Sequence, residues 1–210
     1  MVSAFKKGID IHAETAAEVF DIPLEKVSPE MRREAKALNF GIIYGMGPQG
    51  FARSAGITQS EAKKFIERYF DEFPKIREYM DRMRAEAHDN GVVFTLLGRR
   101  RQISEIYSSI PEVIRQAERM AINFPVQGLA ADIMKLAMIK IHEHIKDGYK
   151  DDDVKMLLQV HDELVLEVKD KLVKELAEEL KKIMEEVYDL DAPLVAEAKV
   201  GQNWDRMKPI

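Results

Sequence analysis

The chain has 210 residues, a net charge of −5 and no cysteine. Its hydrophobic fraction of 46% and charged fraction of 33% are typical of a globular protein with a substantial core. The composition excludes disulfides and thiolate metal sites, and suits a reducing cytoplasm. Because no apolar run approaches the roughly 18–20 residues of a membrane span, we expect no membrane partner.

Helix-start and helix-stop residues dominate the first hundred residues. Ser28 and Pro29 predict the start of a helix that runs to about Tyr44. Thr58 and Glu61 form a capping box that predicts a second helical region. The predicted stops and breaks are the run from Gly45 to Pro48, Pro74, and the pair Asn90 and Gly91.

The rest of the chain mixes helices and strands. A strand is predicted at 92–96, and one or two helices over 111–146, with Pro125 marking the joint. A buried strand at 156–160 and a second strand at 164–168 are predicted to form a tight antiparallel hairpin. The remaining predicted elements are an amphipathic helix over 171–188 and a final strand at 194–200. This order predicts an α+β fold with the helical part first.

Charge is unevenly distributed along the sequence. The first 101 residues carry 17 basic and 15 acidic side chains, whereas the rest carry 15 basic and 22 acidic ones. The sharpest basic cluster is the run of three arginines at 99–101. On its own this cluster is most typical of a solvated turn.

Four residues recur at intervals of four along the helix predicted to begin at Pro29. Each four-residue step advances about 40° around a helix, so they form one slowly turning stripe, termed here the 32–44 row. Two cations precede two aromatic rings, an order that suits the phosphates and then the sugar and base of a nucleotide. An ordinary amphipathic helix, with its rings in the core, remains the alternative. The row consists of Arg32, Lys36, Phe40 and Tyr44.

The tip of the predicted hairpin carries His161, Asp162 and Glu163. Adjacent carboxylates beside buried strands are costly unless they bind a cation or face water. Oxygen ligands suit Mg²⁺. A simple polar turn is the alternative, because aspartate is common in turns.

A third pattern, termed here the 119–127 ladder, consists of Arg119, Asn123 and Gln127. These side chains can all donate hydrogen bonds to the acceptors that every base pair presents in the minor groove. The pattern alone is a weak signal.

Together, these segments resemble the family A DNA polymerases of the bacterial DNA polymerase I type. Residues 32–45 are similar to that family's motif B, residues 159–163 to motif C, and residues 119–128 to the segment before it. The resemblance covers essentially the whole chain. It implies a helical fingers subdomain at 1–106, then a partial palm at 107–210 with an antiparallel sheet and flanking helices.

The resemblance also implies roles for individual residues. Asp162, Glu163 and Lys36 are the catalytic candidates; Asp162 is a metal ligand, and Lys36 a proton donor to the leaving pyrophosphate. Phe40, where some members have tyrosine, implies poorer use of chain terminators. The nucleotide-binding candidates are His12, Arg32, Lys36, Phe40 and Tyr44. The DNA-binding candidates are Arg119, Asn123, Gln127 and His161.

The function implied is DNA-directed DNA polymerase activity in the cytoplasm, associated with the nucleoid. Two Mg²⁺ ions would assist transfer of a dNTP to the 3′-hydroxyl of primer–template DNA. We find no match to motif A, so we expect little activity without a partner polypeptide or upstream region carrying motif A and the thumb. The alternatives are an inactive nucleotide- or DNA-binding fragment and a metal-dependent phosphohydrolase using Asp162 and Glu163.

Overall fold

The computed structural model describes residues 2–210, without the side chain of Ile43. The described helices are α1 (Val2–Lys6), α2 (Ile11–Phe20), α3 (Pro29–Ile43), α4 (Pro48–Ala55), α5 (Gln59–Glu72), α6 (Pro74–Asn90), α7 (Pro111–Gly148) and α8 (Val173–Glu185). The described strands are β1 (Val92–Phe94), β2 (Arg100–Gln102), β3 (Val154–Val160), β4 (Glu163–Val168), β5 (Lys199–Val200) and β6 (Lys208–Pro209). They pair as three antiparallel two-stranded sheets, β1–β2, β3–β4 and β5–β6. The α+β class is thereby confirmed.

The chain forms two compact units, residues 1–129 and 130–210, and the boundary falls within α7. Each unit has its own core and is described by itself. The division into fingers and palm at 106 and 107 stays a prediction.

Local capping signals set the helix ends of the first unit. The Ser28 hydroxyl accepts a hydrogen bond from the Met31 amide at 3.2 Å, at the N-terminus of α3. Thr58 and Glu61 form the predicted capping box of α5. α6 ends at Asn90 and is followed by the C-cap residue Gly91, which has a φ of 65°. These helix ends confirm the sequence predictions. They could be predicted because each depends only on neighbouring residues.

The first unit has two apolar clusters. One lies among the helices from α2 through α6 and includes the buried side chains of Leu38, Phe51 and Tyr69. The other packs the β1–β2 hairpin against α7, with Val93 and Ala121 both fully buried. The second cluster therefore fixes the hairpin on one face of α7.

α7 confirms the alternative of one helix over this region and corrects the predicted joint at Pro125. Pro125 lies inside a continuous helix of 38 residues and does not separate two helices. A proline in this position removes one backbone hydrogen bond but leaves the others. The helix can tolerate the loss because its first half is held by the core around Ala117 and Ala121.

The second unit is built around Ile141, Val154, Leu176 and Leu180. Glu179 of α8 accepts hydrogen bonds from His144 at 2.8 Å and from the Tyr149 hydroxyl at 2.7 Å. These bonds tie α8 to the end of α7. The side chain of His144 is 35% exposed.

The predicted strands of the second unit need two corrections. β3 is not a buried strand: Leu157 and Leu158 are 51% and 50% exposed. Among the described residues, apolar side chains pack against only one face of the two-stranded β3–β4 sheet. The strand predicted over 194–200 is reduced to Lys199–Val200, because only that pair finds a strand partner, Lys208–Pro209. No helix among the described residues is both long and apolar enough to cross a membrane.

Candidate functional site

The 32–44 row lies along the solvent-facing side of α3. All four of its side chains are exposed, and Phe40 and Tyr44 are each 47% exposed. The core side of α3 is formed instead by Ala35, Leu38 and Ile42. The alternative in which Phe40 and Tyr44 are core residues is therefore wrong. Exposed rings next to exposed cations form a surface to which a nucleotide can bind.

A buried polar network brings His12 of α2 to this row. Asn39 is only 6% exposed, and its amide nitrogen lies 3.1 Å from Nδ1 of His12 and 3.0 Å from the Thr15 hydroxyl. The imidazole of His12 lies 5.6 Å from the ring of Phe40, between centroids. Two helices thus place a histidine beside the aromatic part of the row.

The protonation of His12 follows from its surroundings. Burial lowers the pKa of the imidazole, the Asp10 carboxylate opposes this, and the charges of Arg32 and Lys36 lower it further. Because the Asn39 amide nitrogen can only donate, Nδ1 of His12 accepts and Nε2 carries the proton. A neutral imidazole with a free N–H can donate to an anionic oxygen.

Asp10 links α2 to the first cation of the row. Its Oδ1 caps α2 by accepting from the amides of His12 and Ala13 at 2.9 and 3.0 Å. Its Oδ2 accepts from Nε and Nη2 of Arg32 at 2.9 and 2.6 Å. The hydrogen bond from Arg32 is the main cause of a lowered pKa of the Asp10 carboxyl. Nη1 of Arg32 remains directed away from this contact and can bind a second anion.

The 119–127 ladder lies on α7, near the end of α3. Gly45 has a φ of 67°, and a Cβ there would lie 2.6 Å from Cγ of Arg119. Arg119 is also within 3.6 Å of Glu112. Oδ1 of Asn123 is buried and accepts no hydrogen bond from the described residues, while Gln127 is exposed. Gly45, the residue after the last member of the 32–44 row, therefore lies against Arg119 of the ladder.

The carboxylate tip belongs to the second unit. His161 and Asp162 form a two-residue connection between Val160 and Glu163, which pair across the hairpin. His161 adopts a left-handed backbone, with a φ of 53°, and its carbonyl accepts from Nε2 of Gln159 at 2.5 Å. The side chains of the tip all face solvent. The described residues contain no group of three or more acidic, histidine or cysteine side chains arranged to hold a metal ion.

Three residues of this site were not identified from the sequence. Asp10, Thr15 and Asn39 position His12 and Arg32 through contacts that span 22 to 27 residues. Asp10 did carry a local signal, since it precedes α2 at the cap position. Asn39 carried none, because a polar residue on a helix becomes informative only when its burial is known.

Comparisons with known proteins give consistent matches. The sequence profile described as DNA polymerase family A matches residues 1–206. DNA polymerase I of Caldicellulosiruptor bescii is 47% identical over 208 residues, covering 99% of this chain and 24% of the relative. The thermostable DNA polymerase I of Thermus aquaticus is 44% identical over 204 residues, covering 97% of this chain and 24% of the relative.

A solved structure agrees with these matches. It is the POL domain of Pol1 from M. smegmatis in complex with DNA primer-template and dNTP, with a TM-score of 0.85 and 41% identity. The match covers 92% of this chain and 34% of that one. This chain spans about a quarter of the length of the curated relatives that it matches.

Proposed function

The chain belongs to DNA polymerase family A, and from this premise we propose that it supplies the nucleotide-binding helix and one carboxylate motif of a DNA-directed DNA polymerase. The reaction joins a dNTP to a primer 3′-hydroxyl and releases pyrophosphate. The observation that carries the proposal is the exposure of the whole 32–44 row beside a histidine held by a buried asparagine.

The row provides separate contacts for each part of the nucleotide. Arg32 and Lys36 bind the triphosphate, Phe40 packs on the deoxyribose, and Tyr44 lies at the nascent base pair. Cations that face the phosphates favour the transition state, in which negative charge grows on the leaving pyrophosphate. Lys36 donates a proton to that group, and Nε2 of His12 donates a hydrogen bond to the same phosphates.

The 119–127 ladder is proposed to contact the minor groove of the primer–template duplex. Minor-groove acceptors are nearly the same for every base pair, so donors there can test pair shape without reading sequence. The exposed amide of Gln127, which can donate such a hydrogen bond, supports this proposal. His161 is proposed to lie near the primer terminus.

Asp162 is proposed to hold Mg²⁺, with Glu163 beside it. Two adjacent solvent-facing carboxylates fit a hard cation that prefers oxygen ligands and retains water. When bound, Mg²⁺ ions stabilise negative charge on the attacking and leaving oxygens. The described residues contain no group of three or more such ligands, and we propose that further carboxylates come from another segment or a partner polypeptide.

Primer extension tests the proposal directly. The chain is assayed with Mg²⁺ and four dNTPs, alone and mixed with the upstream part of a relative such as the C. bescii enzyme. We expect extension only in the mixture, and its loss in Asp162→Ala. The matched control is Glu167→Ala, which removes an exposed carboxylate from the same hairpin away from the tip.

Other outcomes separate the alternatives. Extension by the chain alone would contradict the need for further carboxylates. Binding of dNTP or DNA without extension in the mixture would favour an inactive binding fragment. Release of phosphate from dNTP without a primer would favour a phosphohydrolase. The lack of a three-ligand cluster among the described side chains weighs against the last outcome.

A further inference from the structure

Arg101 occupies a particular place on the β1–β2 hairpin. It pairs with Val93, which is fully buried, whereas its neighbour Arg100 pairs with Phe94, which is 47% exposed. Residues directly opposite in an antiparallel pair project to the same face. Arg101 therefore projects to the face that packs on α7, and Arg100 projects to the other face.

The side chain of Arg101 lies across two turns of α7. Its Nη2 lies 3.5 Å from Sδ of Met120, and its guanidinium carbon lies 5.8 Å from the centre of the Phe124 ring. Both contacts are with uncharged groups, and the residue as a whole is exposed. The guanidinium thus keeps hydrogen-bond donors free for an anion.

Gly128, further along α7, also fixes where the hairpin lies on this helix. A Cβ on Gly128 would lie 2.4 Å from Cγ2 of Thr95, so the hairpin can approach the helix closely only because this residue is glycine. Residues 120, 124 and 128 form the stripe of α7 that contacts the hairpin. The 119–127 ladder is the adjacent stripe, about 100° around the helix.

We propose that Arg101 is a phosphate contact for the DNA whose minor groove meets the 119–127 ladder, an inference that rests on the proposed function. The minor groove is only about 6 Å wide, so phosphates of both strands flank any side chain that reaches its floor. An arginine on the neighbouring stripe is within side-chain reach of such a phosphate. The contact fixes register and adds affinity without reading sequence.

The test is the salt dependence of binding to a fluorescent primer–template duplex, measured by anisotropy with the 210-residue chain between about 50 and 200 mM salt. We expect Arg101→Gln to weaken binding severalfold at low salt and to flatten the plot of log K against log salt by about one. Arg101→Lys should restore the slope. Arg100→Gln is the matched control, with the same charge change on the opposite face, and should leave the slope unchanged.

Each other outcome overturns the inference. Equal flattening by Arg100→Gln and Arg101→Gln would indicate a general charge effect. An unchanged slope in Arg101→Gln, with binding still weakened by Gln127→Ala, would remove Arg101 from the interface and leave the proposed function intact. No binding by the unsubstituted chain, even at the lowest salt, would overturn both the inference and the proposed DNA contact.

Discussion

At the scale of single residues, Asp10 serves two helices with one carboxylate. One oxygen caps α2, and the other holds Arg32 of α3. His12 and Arg32, which are both proposed to contact the phosphates, are therefore positioned by the same side chain. The cap and the ion pair can be separated by substitution, because asparagine caps a helix about as well as aspartate but carries no charge.

We predict that Asp10→Asn and Asp10→Ala differ in stability. The Asp10–Arg32 pair is nearly half exposed on both sides, so its loss in Asp10→Asn should cost less than about 1 kcal/mol. Asp10→Ala also removes the cap, which should cost about 1 kcal/mol more. Urea unfolding at neutral pH measures both values. Equal losses in the two variants would contradict a role for Asp10 as a cap.

The same residue predicts a pH dependence. The pKa of Asp10 is lowered in the folded chain, chiefly by Arg32. Its contribution to stability is therefore present above the unfolded pKa of about 3.9 and is lost as pH falls through the lower folded value. The stability difference between the unsubstituted chain and Asp10→Asn should narrow below about pH 4. A difference that stays constant into acid would show that the pair contributes nothing.

At the scale of elements, the contact between the β1–β2 hairpin and α7 depends on a glycine at residue 128, which has no side chain to obstruct it. We predict that Gly128→Ala destabilises the chain by about 1–3 kcal/mol, the usual cost of forcing an extra group into a packed contact. The reason is the 2.4 Å approach of the new Cβ to Cγ2 of Thr95, a branched side chain that is 5% exposed and has little room to move. Thermal or urea unfolding measures the loss.

A second substitution tests the cause of that loss. Thr95→Ser removes Cγ2 but keeps the hydroxyl, which accepts from the Arg99 amide at 3.1 Å. The double variant with Gly128→Ala should recover most of the lost stability. Failure to recover would assign the loss to helix geometry at residue 128 instead of to contact with the hairpin.

At this scale, the sequence predicted the features that depend on adjacent residues and missed one that depends on tertiary packing. Capping boxes, Gly91 and Pro74 act on adjacent residues, so the ends of α3, α5 and α6 were predictable. The passage of α7 through Pro125 was not, because tertiary packing on the first half of the helix outweighs one lost hydrogen bond.

In the candidate site, too, the features that were found differ from those that were missed in how far they depend on distant residues. Spacing and residue type singled out the 32–44 row and the hairpin tip but left alternatives open, and the resemblance to family A polymerases implied their roles, which depend on experiment. The Asn39 network was missed because its partners, Thr15 and His12, lie on a different helix. The burial of β3 was mispredicted, since an apolar run indicates a face that needs cover but does not show whether the same chain provides it.

At the scale of the whole molecule, the described residues leave part of the apolar surface of β3 exposed. Leu157 and Leu158 are each about half exposed on β3, and the β3–β4 sheet leaves the outer edge of both strands unpaired within the described residues. The chain spans about a quarter of the length of its curated relatives. A further segment of a longer polypeptide, or a partner chain, would suit this face.

We predict that the isolated chain self-associates through β3, because an unpaired apolar strand edge is a template for another strand. Leu157→Lys should shift the distribution toward monomer, since a charge on the edge opposes pairing, and sedimentation velocity over a range of concentrations measures it. Val195→Lys is the control, because it adds the same charge at a more exposed apolar residue outside any strand. Equal effects of the two variants would indicate a general gain in solubility.

The same sedimentation experiment can be repeated with an upstream fragment added. Suppression of self-association would indicate that this fragment covers the β3 face. Extension activity should then appear together with the loss of self-association.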